Sequence, residues 1–160
     1  MTESSCFFTG HRNIPVGELP ALKEKLYKTA EKLISDGITD FYTGGAVGFD
    51  TLAAITVLKL RKEYSHIKLH IIVPCENQEK KWTPESKELY RKINEAADEV
   101  KILSPVYYKG CMQVRNRYMA DNSSICIAYL TEPSGGTAST VKYAEKQGKT
   151  IINLACYSLS

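Results

Sequence analysis

Apolar positions along the chain switch between two spacings from one end to the other. Cys6-Phe7-Phe8-Thr9 is a short apolar run stopped at Gly10, which reads as a strand. Leu19, Leu22, Leu26, Ala30 and Leu33 then recur every three or four residues, the period of an amphipathic helix, with Pro20 in its first turn and Gly37 to end it. Asp40 to Thr43 is a second strand running into Gly44-Gly45. Leu52 to Leu60 is apolar nearly all round and predicts a buried helix, and Lys68 to Val73 predicts a third strand ending at Pro74.

The second half repeats the alternation. Thr83-Pro84-Glu85 is a helix start: a hydroxyl cap, a pre-set dihedral, and an acid at the positive end of the dipole. Leu89, Ile93 and Ala97 are expected to carry that helix's buried face. Val100 to Leu103 reads as a fourth strand and Met112 to Ala120 as a helix. Ile125 to Leu130 is continuously apolar, as a central strand buried on both faces would be. Gly135-Gly136-Thr137 opens a last helix closed by Gly148, and Thr150 to Leu154 is the final strand. Strands alternating with helices predict an α/β fold: a three-layer, Rossmann-like domain over 1–160, its mostly parallel sheet covered by helices on both faces.

Composition narrows the class without changing that picture. The chain has 160 residues, 43% hydrophobic and 24% charged, which excludes disorder, collagen and coiled coil. No apolar run reaches the ~18 residues of a membrane span, and the first residues lack a signal-peptide pattern, so a cytoplasmic protein with no membrane partner is expected. The net charge of +3 is spread along the chain and gives a pI near 8.5, below the value above ~9 that marks a nucleic-acid footprint. Five cysteines form no CxxC pair. Cys6, Cys126 and Cys156 sit in apolar runs as small buried hydrophobes, whereas Cys75 and Cys111 fall at predicted turns and are expected at the surface.

The chemistry concentrates just after the strands, where open α/β sheets bind their ligands. Thr9-Gly10-His11-Arg12 follows the first strand and Thr43-Gly44-Gly45-Ala46-Val47-Gly48-Phe49-Asp50 the second; Pro133-Ser134-Gly135-Gly136-Thr137-Ala138-Ser139-Thr140 follows the fifth. Glycine admits a ligand close to the backbone, and free N–H groups at a helix start attract anions, so two such turns predict a cradle for a phosphate or ribose phosphate. Arg12 and Arg115 offer guanidinium groups suited to the charge, and Asp50 an acceptor for sugar hydroxyls. Arg117, two positions from Arg115, is expected on the surface. The alternatives fail on spacing: the glycines lack the GxGxxG order, no GKS or GKT completes a P-loop, and no GxSxG elbow is present. The three histidines have no metal-ligand spacing, so no metal site is expected.

With those segments in place the chain resembles the YpsA-like proteins of the SLOG superfamily, the Rossmann-type group that includes DprA/Smf and the LOG phosphoribohydrolases. The likeness rests on Thr9-Gly10-His11-Arg12, Gly44 to Asp50, Pro74-Cys75-Glu76-Asn77-Gln78 with Trp82, Tyr90, Ala97-Asp98, Arg115 to Met119, Asp121, and Gly135-Gly136-Thr137 with Thr140. It implies a core of six or seven strands and a pocket for a nucleotide or nucleotide-derived small molecule, and no settled reaction; a sensing or regulatory role is the function expected. The ligand-binding residues are then Gly10, His11, Arg12, Gly44, Gly45, Gly48, Asp50, Gln78, Trp82, Arg115, Asn116, Gly135, Gly136, Thr137 and Thr140, with Trp82 and Gln78 as a lid over a base and Tyr107 to Lys109 at the mouth. The expected ligand is nucleotide-like or ADP-ribose-like, and the expected assembly a homodimer or larger. Two alternatives follow from the relatives. One is hydrolysis of an N-glycosidic bond, but the PGGxGTxxE motif of the LOG enzymes places its glutamate at Thr140, and Glu132 and Glu145 are out of register. The other is DprA-like binding of single-stranded DNA, which the modest charge excess disfavours.

Overall fold

The computed structural model describes residues 2–155; Cys156 lies outside them. Six strands form one sheet: β1 (Ser5–Gly10), β2 (Asp40–Thr43), β3 (Lys68–Val73), β4 (Glu99–Ile102), β5 (Ile125–Tyr129) and β6 (Thr150–Asn153). Their order is β4-β3-β2-β1-β5-β6, and every neighbouring pair is parallel. Between them run α1 (Leu19–Ser35), α2 (Phe49–Glu63), α3 (Pro84–Ala96), α4 (Cys111–Asp121) and α5 (Gly136–Lys146). The fold is the Rossmann-like α/β architecture that the alternation predicts.

The side-chain period of two divides β1 between the layers. Cys6 and Phe8 enter the core built with Leu26 and Leu33 of α1, Phe49 and Leu60 of α2, and Ile93 of α3. Phe7 enters the opposite core with Met119 of α4 and Val141 of α5. Strands β1 to β4 progress outward in one direction, and the chain then returns through α4 to place β5 against the other side of β1. At the boundary between the paired strands β1 and β5 the connections run to opposite faces, β1 into α1 and β5 into α5, so the loops leaving their carboxyl ends open away from each other and leave a crevice.

Local details depart from the sequence pattern in three places. Helix α2 begins at Phe49, three residues before the apolar run, because Gly48 at φ +84° turns the chain straight into it. Leu89 is 38% exposed and Ile93 is the buried residue of α3, since that helix covers only the flank of the sheet. Cys75 and Cys111 are buried rather than exposed. The turn after β3 is covered by the start of α4, bringing the two thiols close enough to interact, and burial pushes the Cys75 thiol up. The capping signal is realised: Thr83 Oγ1 accepts the Ser86 N–H at 3.2 Å, with Pro84 in the first turn.

Candidate functional site at the fork between β1 and β5

A cavity of about 290 Å³ lies at the carboxyl ends of the adjacent strands β1 and β5. Thr9, Gly10, His11 and Arg12 reach it from the end of β1, Ala46 and Asp50 from the turn into α2, Met112, Arg115 and Asn116 from α4, and Glu132 to Thr137 bar Pro133 from the segment after β5. The turns at 10–12 and 135–137 thus meet at one edge of the sheet.

Arg115 is the organising charge, only 5% exposed. Its Nη1 donates to the Gly44 carbonyl at 2.7 Å and its Nε to Asn116 Oδ1 at 2.8 Å, while Nη2 faces the Met112 sulfur at 3.6 Å. Among the described residues no carboxylate comes within ion-pair distance of it. Asp50 lies across Gly44, its Oδ2 accepting the Ala46 N–H at 3.3 Å. Burial pushes this carboxyl up to about 6; the Arg115 guanidinium, the Ala46 N–H and Arg12 pull the other way without overcoming it. Burial likewise depresses Arg115, with Asp50 opposing. The two buried charges therefore feel each other without being joined. Such an arrangement is costly to the fold and concentrates at binding and catalytic sites.

The two glycine turns differ in kind. A Cβ at Gly136 would meet nothing within 4 Å, so this turn and the first N–H groups of α5 stand open to the cavity. A Cβ at Gly44 would lie 2.6 Å from the Arg115 guanidinium carbon and 2.9 Å from Asp50 Oδ2. Gly45, at φ +71°, is backed by Ile71, Tyr90 and Gln78. Gly44 and Gly45 are small so that the site's own side chains can close in behind them.

Several predicted residues stand away from the cavity. Gln78 donates to the Gly44 carbonyl at 3.2 Å and the Tyr90 hydroxyl at 3.3 Å, and the Trp82 ring meets Tyr90 edge-on at 5.2 Å. These side chains brace the second turn from behind. Gly48 packs against the Arg12 backbone. Thr140 is buried and donates back to the Gly136 carbonyl at 2.9 Å, one turn earlier in α5. His11 does line the cavity; its Nε2 accepts the Thr131 N–H at 3.0 Å, tying the ends of β1 and β5 together and leaving the ring proton on Nδ1. Sequence reasoning passed over Glu132, Ser134 and Thr9 as lining residues. The available signal was position, since each lies at or just beyond the end of a strand.

The geometry defines a Rossmann-like domain with a ligand-sized crevice at the strand-order reversal. The YpsA family, described as the YspA SLOG family, matches residues 6–159, and the chain belongs to it. It is 32% identical over 132 residues to a UPF0398 protein of Brevibacillus brevis, covering 81% of this chain and 70% of that one. It is 33% identical over 138 residues to the SPbeta prophage-derived protein YoqJ of Bacillus subtilis, covering 78% of this chain and 81% of that one. Among solved structures, DNA processing protein A from Helicobacter pylori, described for its single-stranded DNA binding mode, superposes with a TM-score of 0.65 at 22% identity. That likeness covers 94% of this chain but 64% of the other, and it is a likeness of fold. No helix among the described residues is long and apolar enough to cross a membrane.

Proposed function

We propose that this protein binds a nucleotide or nucleotide-derived small molecule in the crevice between β1 and β5, in a sensing role. The observation that carries the reading is the buried Arg115 guanidinium, with no carboxylate within ion-pair distance among the described residues, beside the open start of α5. A phosphate would meet the N–H groups around Gly136 and Thr137, with Arg12 at the rim and Arg115 beneath. Asp50 and Glu132 supply acceptors for sugar hydroxyls. At about 290 Å³ the cavity sits at the lower end of small-molecule sites, which favours a mononucleotide-sized group. A longer, ADP-ribose-like ligand would extend past Ser134 and Gly135, residues the crevice shares with an adjoining groove.

The test is calorimetric titration with nucleoside monophosphates, ADP-ribose and NAD, on the native chain and two variants. Arg115→Met should weaken binding by roughly ten- to a hundredfold, the worth of one charge-assisted contact. Gly136→Val fills open space at the cavity edge, so it should abolish binding while leaving the thermal midpoint nearly unchanged. No binding by any of these ligands, or affinity indifferent to both substitutions, refutes the reading. Release of free base from a monophosphate, lost on Glu132→Gln, would make the site hydrolytic instead.

A second reading has its own observation. Arg117, Lys142 and Lys146 line the adjoining groove, with Arg117 5.0 Å above the Tyr143 ring, and the groove shares Ser134 and Gly135 with the crevice. A single strand of nucleic acid could run along it, and binding that collapses with added salt and with Lys142→Glu would establish that reading.

A further inference from the structure

Strand β4 is one edge of the sheet, and all four of its residues are exposed. Eight large hydrophobic side chains are exposed among the described residues, and five of them, Val100, Ile102, Val106, Tyr107 and Tyr108, fall in or just after this strand. An edge that presents free backbone groups beside exposed apolar side chains is a template for another strand, and proteins that stay apart blunt such edges.

We propose that β4 pairs antiparallel with β4 of a second copy of this chain, about a twofold axis through Val100, so that the two sheets join into one. The register follows from backbone phase and charge. The Leu103 N–H donates to the Val73 carbonyl at 2.9 Å. Counting back in twos, Lys101 and Glu99 turn their backbone groups toward β3, while Val100 and Ile102 turn theirs outward. Only registers that set outward residue against outward residue form a ladder. An axis at Lys101 sets lysine against lysine, an axis at Glu99 sets glutamate against glutamate, and an axis at Ile102 sets Lys101 against Leu103 with no opposite charge to meet it. The axis at Val100 sets Glu99 of each copy against Lys101 of the other, in a non-hydrogen-bonded pair where Cα atoms approach to about 4.5 Å. Both side chains project from the same face: Glu99 Oε1 lies 2.8 Å from His70 Nδ1, and Lys101 Nζ sits 5.8 Å from the centre of the Tyr118 ring. On the other face Val100 meets its own counterpart. The sequence Glu-Val-Lys is self-complementary when read antiparallel, which is what an isologous interface requires.

The edge lies two strands from the crevice, on the far side of β2, so ligand binding and association are separable. Sedimentation equilibrium over a concentration series should give a dimer for the native chain. Lys101→Glu and Glu99→Lys each convert two attractive pairs into two repulsive ones and should weaken association roughly tenfold or more. Mixing the two variants sets opposite charges together at both contacts again and should restore a heterodimer. That rescue separates lost pairing from lost folding. As a second measurement, Val100→Cys in a Cys156→Ser background should cross-link rapidly with oxidised glutathione, because residues paired across the axis fall within disulfide reach and Cys6, Cys75, Cys111 and Cys126 are buried. A native chain that stays monomeric, a dimer indifferent to both charge reversals, or variants that fail to recombine while circular dichroism shows them folded would overturn the proposal.

Discussion

Replacing Asp50 by asparagine should stabilise the protein at neutral pH, and the pH dependence of that gain is calculable. The carboxyl titrates at about 6 in the folded chain against an ordinary value of 3.8, because burial disfavours its charged form more than Arg115 and the Ala46 N–H favour it. The sign follows from proton counting: between 3.8 and 6 the folded state holds the proton and the unfolded state has released it. Stability therefore falls as the pH rises through that window, and the loss is complete above about 6. At about 1.4 kcal/mol per pH unit the loss is about 3 kcal/mol. Asparagine keeps the acceptor for the Ala46 N–H and carries no charge. The variant should match the native chain near pH 4 and exceed it by up to about 3 kcal/mol above pH 7, or roughly 6–12 °C in Tm for a chain of this size. Subtracting thermal melts of the two proteins at each pH isolates Asp50, since every other ionisable group is common to both. Parallel curves from pH 4 to 8, or a variant less stable at pH 7 than at pH 4 relative to the native chain, would refute this account of the buried charge. The same variant should bind the ligand more weakly if the carboxylate accepts sugar hydroxyls, the trade of stability for function expected of a site residue.

Other outcomes follow from the packing. Gly48→Ala forces a side chain onto φ +84° and places a Cβ within 2.6 Å of the Arg12 Cα, so it should cost roughly 2–5 kcal/mol in chemical denaturation and impair the crevice that Arg12 lines. A loss under about 1 kcal/mol would mean that the Arg12 segment yields freely. Thr83→Ala removes the cap on α3, which should lower stability by about 1 kcal/mol and leave ligand affinity untouched, because that helix end contributes nothing to the crevice.

Local pattern in the chain determined most of the fold. Apolar runs, the three-to-four-residue helical spacing, and cap and glycine signals placed the six strands and five α-helices of the described residues, because burial and local capping are written directly into neighbouring side chains. Thr83-Pro84 marked a helix start to the residue, since a cap is chemistry between neighbours in sequence. That the segments at 10–12 and 135–137 meet was legible for a related reason: parallel topology sends every strand's carboxyl end to one edge. What each residue does there was decided only in three dimensions. Gly44 and Gly136 belong to similar glycine pairs, yet Arg115, 71 positions from Gly44, fills the space behind one, while the space beside the other is open. Gln78 and Trp82 brace that same turn through Tyr90, and Cys75 and Cys111 are buried by elements far apart along the chain. Glu132 lines the crevice because β5 returns beside β1, a neighbour relation fixed by the crossover through α4. Periodicity records how much of a side chain is covered; it does not record by what, and the environment of Asp50 and Arg115 is a property of what covers them.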